Sequence, residues 1–203
     1  MTMLQRLASL LRRRTTPGPA DITSFPGDRH FRPGNCDIYT VCLRAMLIAR
    51  GGGYYYSVPL SEGWSLSDLQ ACAAFQRAQG WSRNRASGIP DTGTWHLLVS
   101  GYGLDIRHPH AYTPGFPGPD SFGPGKTNAW ILLLRLRLIR HGYADDQRAF
   151  LNRDTTLRAA RSWSEELRAA CTRFQIAHGL RGADADGYPT EDTWKRLWTQ
   201  PTG

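Results

Sequence analysis

Six stretches of this 203-residue chain share one pattern, in which apolar residues recur three or four positions apart. That spacing places the apolar side chains on one face of a helix. The stretches are residues 37–50, 65–79, 91–98, 128–141, 164–178 and 190–197. No alternating run of strand length occurs in both halves of the chain. The pattern therefore predicts an all-α fold.

Polar residues mark where the second helix of each half begins. Ser65 is followed three residues later by Asp68, and Ser162 is followed by Glu165 at the same spacing. This is the spacing of a capping box, in which two side chains satisfy the free N–H groups of a helix start. Both pairs predict a helix N-terminus.

The predicted elements occur twice. The tripeptide Phe-Pro-Gly at residues 25–27 returns at 116–118, at an offset of 91 (116 − 25). From the Trp-Ser pairs onward the offset is 99 (163 − 64). The second copy therefore carries eight extra residues (99 − 91), which fall between Gly142 and Trp163. An insertion at one place predicts a surface loop.

The repeat divides the chain into four predicted segments. Residues 1–24 hold a short amphipathic basic helix, at 1–14, followed by a linker. Residues 25–99 form a first three-helix domain, 100–114 connect the copies, and 115–200 form a second three-helix domain. The expected architecture is two tandem domains, each large enough for a modest core.

Charge narrows the choice of partners. The chain has 25 Lys and Arg against 17 Asp and Glu, a formal charge of +8. Such a surface attracts anionic polymers, among them nucleic acid and the carboxylate-bearing peptides of cell walls, but charge alone does not select one.

The sequence also bears on targeting. No stretch is apolar for long enough to span a bilayer. At the N-terminus the apolar part is short and the arginines at 12–14 follow it, which is not the order of a Sec signal. We therefore expect synthesis in the cytoplasm without Sec export.

The four cysteines do not form a disulfide framework. Cys72 and Cys171 occupy matching positions, whereas Cys42 matches a leucine of the second copy. Two or three of them are interpreted as small buried apolar side chains. At most one bridge is expected, from Cys72 to Cys36 or Cys42, and no Cys/His zinc spacing occurs.

Motifs of enzymes are missing from the sequence. It has no H-x-x-x-H zinc set, no nucleophile elbow and no phosphate-binding glycine loop. We therefore expect a protein that is not an enzyme, with no catalytic residue, no metal and no cofactor.

Three short motifs keep their order in both copies. The first is a Phe-Gln pair with a glycine four residues after the Gln (75–80 and 174–179). The second is a loop that contains glycine and ends in proline (87–90 and 186–189). The third is Thr-Trp-x-x-Leu (94–98 and 193–197). This ordered set resembles the peptidoglycan-binding domain family. The Phe-Pro-Gly opening resembles a subtype frequent in actinobacterial wall proteins and their phages. The resemblance covers residues 25 to 198 and implies three-helix domains that bind the cell wall.

Binding peptidoglycan requires aromatic rings for sugar faces, backbone donors in glycine loops, and cations for peptide carboxylates. These requirements, with the resemblance, select candidate ligand-binding residues in both copies. They are Tyr54, Tyr55, Tyr56, Trp81, Arg83, Arg85, Ser87, Gly88, Arg181, Asp186, Gly187 and Tyr188.

Other shared residues are expected to serve the scaffold. The paired Phe-Gln and Thr-Trp positions predict core aromatics, and Gln76 and Gln175 are expected to bind a loop backbone instead of a ligand. Asp186 is expected to form an Asx turn, and the first copy has Ser87 in its place.

The leading hypothesis is a non-catalytic protein that binds peptidoglycan or its stem peptides, as an anchor or targeting module with two linked sites. Residues 1–14 would dock to another component or a membrane surface. The alternative is a structural component of a phage virion or similar particle, which uses the repeats for assembly or host-wall attachment. Non-specific nucleic-acid binding is a third and weaker alternative. The site of action would be the cell wall or a virion.

Overall fold

The computed structural model describes residues 22–108, 112–144 and 156–199. The predicted helix at residues 1–14 lies outside these ranges. Seven α-helices occur within them: α1 (Ile38–Ala49), α2 (Leu66–Ala78), α3 (Thr92–Ser100), α4 (Ala129–Arg140), α5 (Leu157–Ala160), α6 (Glu165–Ala177) and α7 (Glu191–Leu197). The described residues contain no strand, and the prediction of an all-α fold is confirmed.

The helices repeat with the same offsets as the sequence. Helix α4 begins and ends 91 residues after α1, and α6 begins and ends 99 residues after α2. One isolated β-bridge joins Cys36 to Gly63, and a matching bridge joins Thr127 to Ser162. Each copy therefore connects its opening segment to the residue just before its second long helix.

Helix α5 has no helical counterpart in the first copy. Its residues Leu157 and Ala160 are buried, because they pack into the hydrophobic core. This part of the predicted insertion is thus core structure, in contrast to the expected surface loop. Residues 145–155 of the insertion lie outside the described ranges.

Aromatic residues fill equivalent places in the two halves of the core. The rings of Phe31 and Trp95 lie 5.9 Å apart, and those of Phe122 and Trp194 also lie 5.9 Å apart. All four side chains are buried. The expectation that the Thr-Trp motif supplies core residues is confirmed.

Each of these tryptophans also holds the chain that leads into its own copy. Trp95 donates its indole N–H to the carbonyl oxygen of Ile22 at 2.8 Å, and Trp194 donates to Pro114 at 2.8 Å. Ile22 is itself buried in the core. Part of the predicted linker before residue 25 therefore belongs to the packed structure.

The predicted capping box of α2 is present. Asp68 accepts hydrogen bonds from the backbone N–H and the hydroxyl of Ser65, each at 2.8 Å. In the second copy the N-cap is Ser164, whose hydroxyl accepts from Leu167 N at 3.2 Å. The prediction of Ser162 as this cap is wrong, because Ser164 is the residue that matches Ser65.

Three cysteines, Cys42, Cys72 and Cys171, are buried, and Cys36 is exposed; all four are free. Burial raises the pKa of the Cys42 and Cys171 thiols to about 12. The interpretation of these residues as small buried apolar side chains is confirmed. Within the described ranges, no helix has the length and apolar character needed to cross a membrane.

The two halves pack against each other along α1 and α4. Every residue of α1 from Thr40 to Ala49 is buried, which two neighbours on opposite sides explain. Arg137 of α4 donates to the carbonyl oxygen of Ala49 at 3.2 Å. Arg140 forms an ion pair of 2.6 Å with Asp105 in the connecting segment.

Candidate functional site

A buried glutamine fixes the glycine loop in each copy. The Gln175 side-chain oxygen accepts from Gly187 N, and its amide donates to the Tyr188 carbonyl, both at 2.9 Å. Gln76 makes the same two bonds with residues 88 and 89, also at 2.9 Å. The expectation that these glutamines bind a loop backbone is confirmed. A loop fixed in this way is preorganised for any ligand that it contacts.

The loop glycines face the protein. Gly88 and Gly187 are buried and have φ angles of +84° and +89°. A Cβ added at Gly88 would lie 2.5 Å from the Leu69 carbonyl oxygen, and one at Gly187 would lie 2.5 Å from Arg168 Cγ. Glycine is needed at both positions for close approach to the second helix, and the ligand-binding role expected of Gly88 and Gly187 stays a prediction.

The residue before each glycine shapes the turn. The Asp186 carboxylate accepts from Tyr188 N at 2.9 Å, which confirms the predicted Asx turn. Ser87 accepts from Ile89 N at 3.2 Å in the first copy. Asp186 and Ser87 are both exposed.

Tyr188 is engaged with its neighbours. Its ring stacks on Trp163, with centroids 5.4 Å apart and planes within 8°, and the Arg168 guanidinium lies 5.0 Å from its centroid. The first copy has Ile89 and Leu69 at the positions of Tyr188 and Arg168. This aromatic and cationic pair is thus a property of the second copy.

The first copy has a different pair near its loop. The exposed Arg85 guanidinium lies 4.1 Å from the centroid of the half-buried Trp81 ring. Arg83 is exposed beside it. In the second copy the exposed Arg181 donates to the Ile176 carbonyl at 2.7 Å, so part of its hydrogen-bonding capacity serves the end of α6.

The three adjacent tyrosines have three different environments. Tyr54 is 50% exposed and stacks on His108 with centroids 3.5 Å apart, and Tyr55 is half-buried. Tyr56 is buried, with the Arg44 guanidinium 5.1 Å from its ring centroid. Burial raises the Tyr56 pKa well above its ordinary value. Tyr56 is thus part of the core, and the ligand-binding role expected of it stays a prediction.

The candidates thus lie in three places: near each of the two glycine loops, and in the segment 54–56, here called the tyrosine turn. The tyrosine turn borders a cleft of about 780 Å³ between the two halves, lined by Gly53 and His108 among others. The pattern of apolar and polar residues does not predict this cleft. The segment 103–108, expected only to connect the copies, forms one of its walls.

The other wall of the cleft carries basic side chains. Arg137, Arg140 and Lys195 line it from the second copy, and Arg107 adds a cation on the wall formed by the connecting segment. Arg137 is 9% exposed, and burial lowers its pKa to about 10. Asp105, which pairs with Arg140, is the acidic residue of the lining.

One signal in the sequence could have indicated these cations. Arg137 and Arg140 interrupt an apolar helix at positions where the first copy has Met46 and Ala49. When only one copy has a charged residue on a core helix, its surroundings in that copy must differ. Here the difference is that these arginines lie at the surface between the halves. Comparison of the copies for charged differences would have selected both residues.

Several basic residues are internal. Among the residues that the structure describes, four arginines are buried: Arg44, Arg50, Arg135 and Arg137. The formal charge of the chain therefore overstates the positive charge on its surface. Within the described ranges, no group of three or more His, Cys, Asp or Glu side chains is placed to hold a metal ion.

No family model, no curated protein and no solved structure matches the chain.

Proposed function

We propose that the chain is a non-catalytic protein that binds peptidoglycan through two tandem three-helix domains. The observation that carries the proposal is the repeated loop, which Gln76 and Gln175 hold by the same hydrogen bonds in both copies. Together with the motif order that resembles peptidoglycan-binding domains, this repetition supports one ligand-binding region in each copy.

The surface beside each loop has the chemistry that the ligand requires. Arg85 lies over Trp81 in the first copy, and Arg168 lies over Tyr188 in the second. A guanidinium can bind the carboxylate of a stem peptide, and the exposed part of an aromatic ring can contact a sugar face. Two such regions on one chain would bind a polymer with higher avidity than either alone.

The test is a sedimentation assay with purified cell-wall sacculi. We expect enrichment of the full chain over an unrelated basic protein at the same ionic strength. The double variant Arg85→Gln with Arg168→Gln should reduce binding by roughly tenfold or more, and each single variant by less, because one region remains. Arg32→Gln, which removes another exposed arginine, is the matched control. If the wild-type chain is not enriched with the sacculi, the proposal is wrong.

The alternative role, as a component of a virion or similar particle, would use the same surfaces for attachment to a host wall. Its presence at fixed stoichiometry in purified particles would support that role. Non-specific nucleic-acid binding predicts an affinity that falls steeply with salt.

A further inference from the structure

The cleft between the two halves has the dimensions of a small-molecule site. Its volume of about 780 Å³ lies in the range that holds compact organic ligands. The buried Ile48 and Ile106 form part of its wall, and the half-buried Trp198 contributes an aromatic ring. It shares no lining residue with the glycine loops of the proposed wall-binding regions.

Positive charge exceeds negative charge around the cleft. Asp105 pairs with Arg140 at 2.6 Å and also accepts from Arg50, so one carboxylate is shared by two guanidinium groups. The exposed Arg107 and Lys195 add two more cations to the lining. Lys195 pairs with Glu191 at the surface, and such exposed pairs hold their partners weakly.

Arg137 is almost completely buried. Its guanidinium donates to the Leu197 carbonyl oxygen from Nε at 2.8 Å and from a terminal nitrogen at 2.5 Å, and to the Ala49 carbonyl oxygen at 3.2 Å. Both acceptors are neutral, and the guanidinium carbon lies 4.5 Å from the centroid of the Trp198 ring. A buried cation is costly unless a negative charge compensates it. An anion in the cleft would supply that compensation beside Asp105.

We propose that this cleft binds a short peptide through its C-terminal carboxylate. The planar guanidinium groups of Arg137 and Arg140 match the two oxygens of a carboxylate. Asp105 would accept an N–H group of the peptide, and it would repel a polyanion such as nucleic acid. The half-buried Trp198 would contact an apolar side chain of the peptide. The inference goes beyond the proposed wall binding and does not depend on it.

The experiment titrates the full chain with N-acetyl-trialanine as the free acid and as the C-terminal amide, by calorimetry at low salt. The acid should bind roughly ten- to a hundredfold more tightly than the amide, as expected for charge-assisted hydrogen bonds. The acid should also shift the backbone amide NMR signals of residues 104–108 more than those of residues 186–188.

Variants locate the site. Arg107→Gln with Lys195→Gln removes two exposed cations of the cleft and should weaken binding of the acid by about tenfold. Arg32→Gln with Lys126→Gln removes the same residue types from other exposed positions and should leave the affinity within about twofold.

Three results would overturn the proposal: equal affinity for acid and amide, tighter binding of inorganic phosphate than of the acid, or equal loss in both double variants. Sacculi play no part in this titration. A chain that fails to sediment with walls can therefore still show the cleft to be a carboxylate site, and the two proposals fail separately.

Discussion

Arg44 and Arg135 occupy the same position in the two copies, both are completely buried, and their surroundings differ. Arg44 donates from Nε to the Asp68 carboxylate at 2.8 Å. Arg135 donates from Nε to the Ala160 carbonyl oxygen at 3.3 Å, and Leu167 stands where Asp68 would be. The same scaffold thus accommodates one buried cation in two electrostatic settings.

The difference is visible in the proton affinities. Burial lowers the pKa of Arg135 to about 10, with an opposing contribution from Glu166. Burial also acts to lower the pKa of Arg44, but the hydrogen bond and charge of Asp68 outweigh it and raise the pKa. At Arg44 the carboxylate of Asp68 thus outweighs the effect of burial.

What the copies share shows why the arginine is present. Arg44 donates to the Gly63 carbonyl and Arg135 to the Ser162 carbonyl, each at 2.9 Å. Gly63 and Ser162 are the matching residues of the two β-bridges. The common role of the guanidinium is therefore to hold this bridge segment, and the ion pair with Asp68 is specific to the first copy.

The largest expected effect is that of replacing Asp68 by leucine, the residue that the second copy has at the matching position 167. Asp68→Leu leaves Arg44 buried without its carboxylate and removes the capping box, so the free energy of unfolding should fall by about 3–5 kcal/mol. Urea denaturation measures it. The double variant Arg44→Met with Asp68→Leu should be less destabilised than Asp68→Leu alone. A loss below about 1 kcal/mol in the single variant would show that the carbonyl contacts suffice to hold Arg44.

The second prediction concerns a feature that the copies share. Gln76→Leu and Gln175→Leu each remove the buried hydrogen bonds that hold a glycine loop. Each variant should therefore lower the free energy of unfolding by about 2–3 kcal/mol. The two losses should agree because the hydrogen bonds have nearly the same lengths. Urea denaturation of both variants under one set of conditions is the measurement. A clear inequality would show that only one loop is held by its glutamine.

The third prediction uses Cys42, which the second copy replaces by a leucine. Its pKa is raised from 9.0 to about 12, so the folded state keeps the thiol proton that the unfolded state loses. This contribution to stability is complete below pH 9 and is lost as the pH rises toward 12. Cys42→Leu should reduce the stability loss at about pH 10 by roughly 1.4 kcal/mol.

Thermal unfolding between pH 8 and about pH 10 gives the Cys42 measurement. Cys36→Ser, at an exposed position, is the matched control for the removal of one thiol. An unchanged pH profile in Cys42→Leu would contradict the prediction.

The smallest expected effect exchanges the turn residues of the loops. Ser87→Asp should stabilise the first copy, and Asp186→Ser should destabilise the second, each by about 0.5 kcal/mol or less, since both positions are exposed. Differential scanning calorimetry would detect opposite shifts of the melting temperature. Shifts of the same sign would show that the surroundings of the loop, and not the turn residue, decide its stability.

The sequence predicts the local elements of this fold well. Helix α1 begins after Asp37, and α4 begins after Asn128, as the spacing of apolar residues indicates. Gly51 and Gly142, both at positive φ, lie two residues after the last residues of these helices. These features depend on residues that are close together in the chain, so periodicity and capping preferences suffice to find them.

Features that depend on distant residues were not predicted. Arg44 resembles an interruption of an apolar helix until Asp68, 24 residues later, is placed beside it. The cleft likewise requires the packing of α1 against α4, which the periodicity of either helix does not specify. Of the candidate site, the exposed Arg85 and the half-buried Trp81 and Tyr188 have places at the surface, whereas Tyr56 and the two loop glycines do not.

The hydrogen bonds from Trp95 to Ile22 and from Trp194 to Pro114 have a consequence for the modularity of the chain. In each copy the last helix is hydrogen-bonded to the segment that enters the copy. The chain therefore enters and leaves each copy on the same side. A unit with adjacent ends can be duplicated, exchanged or inserted into a host loop with little rearrangement. The natural cut points for such a cassette lie before Ile22 and before Pro114, since a cut at the Phe-Pro-Gly motif would discard the acceptor that each tryptophan needs.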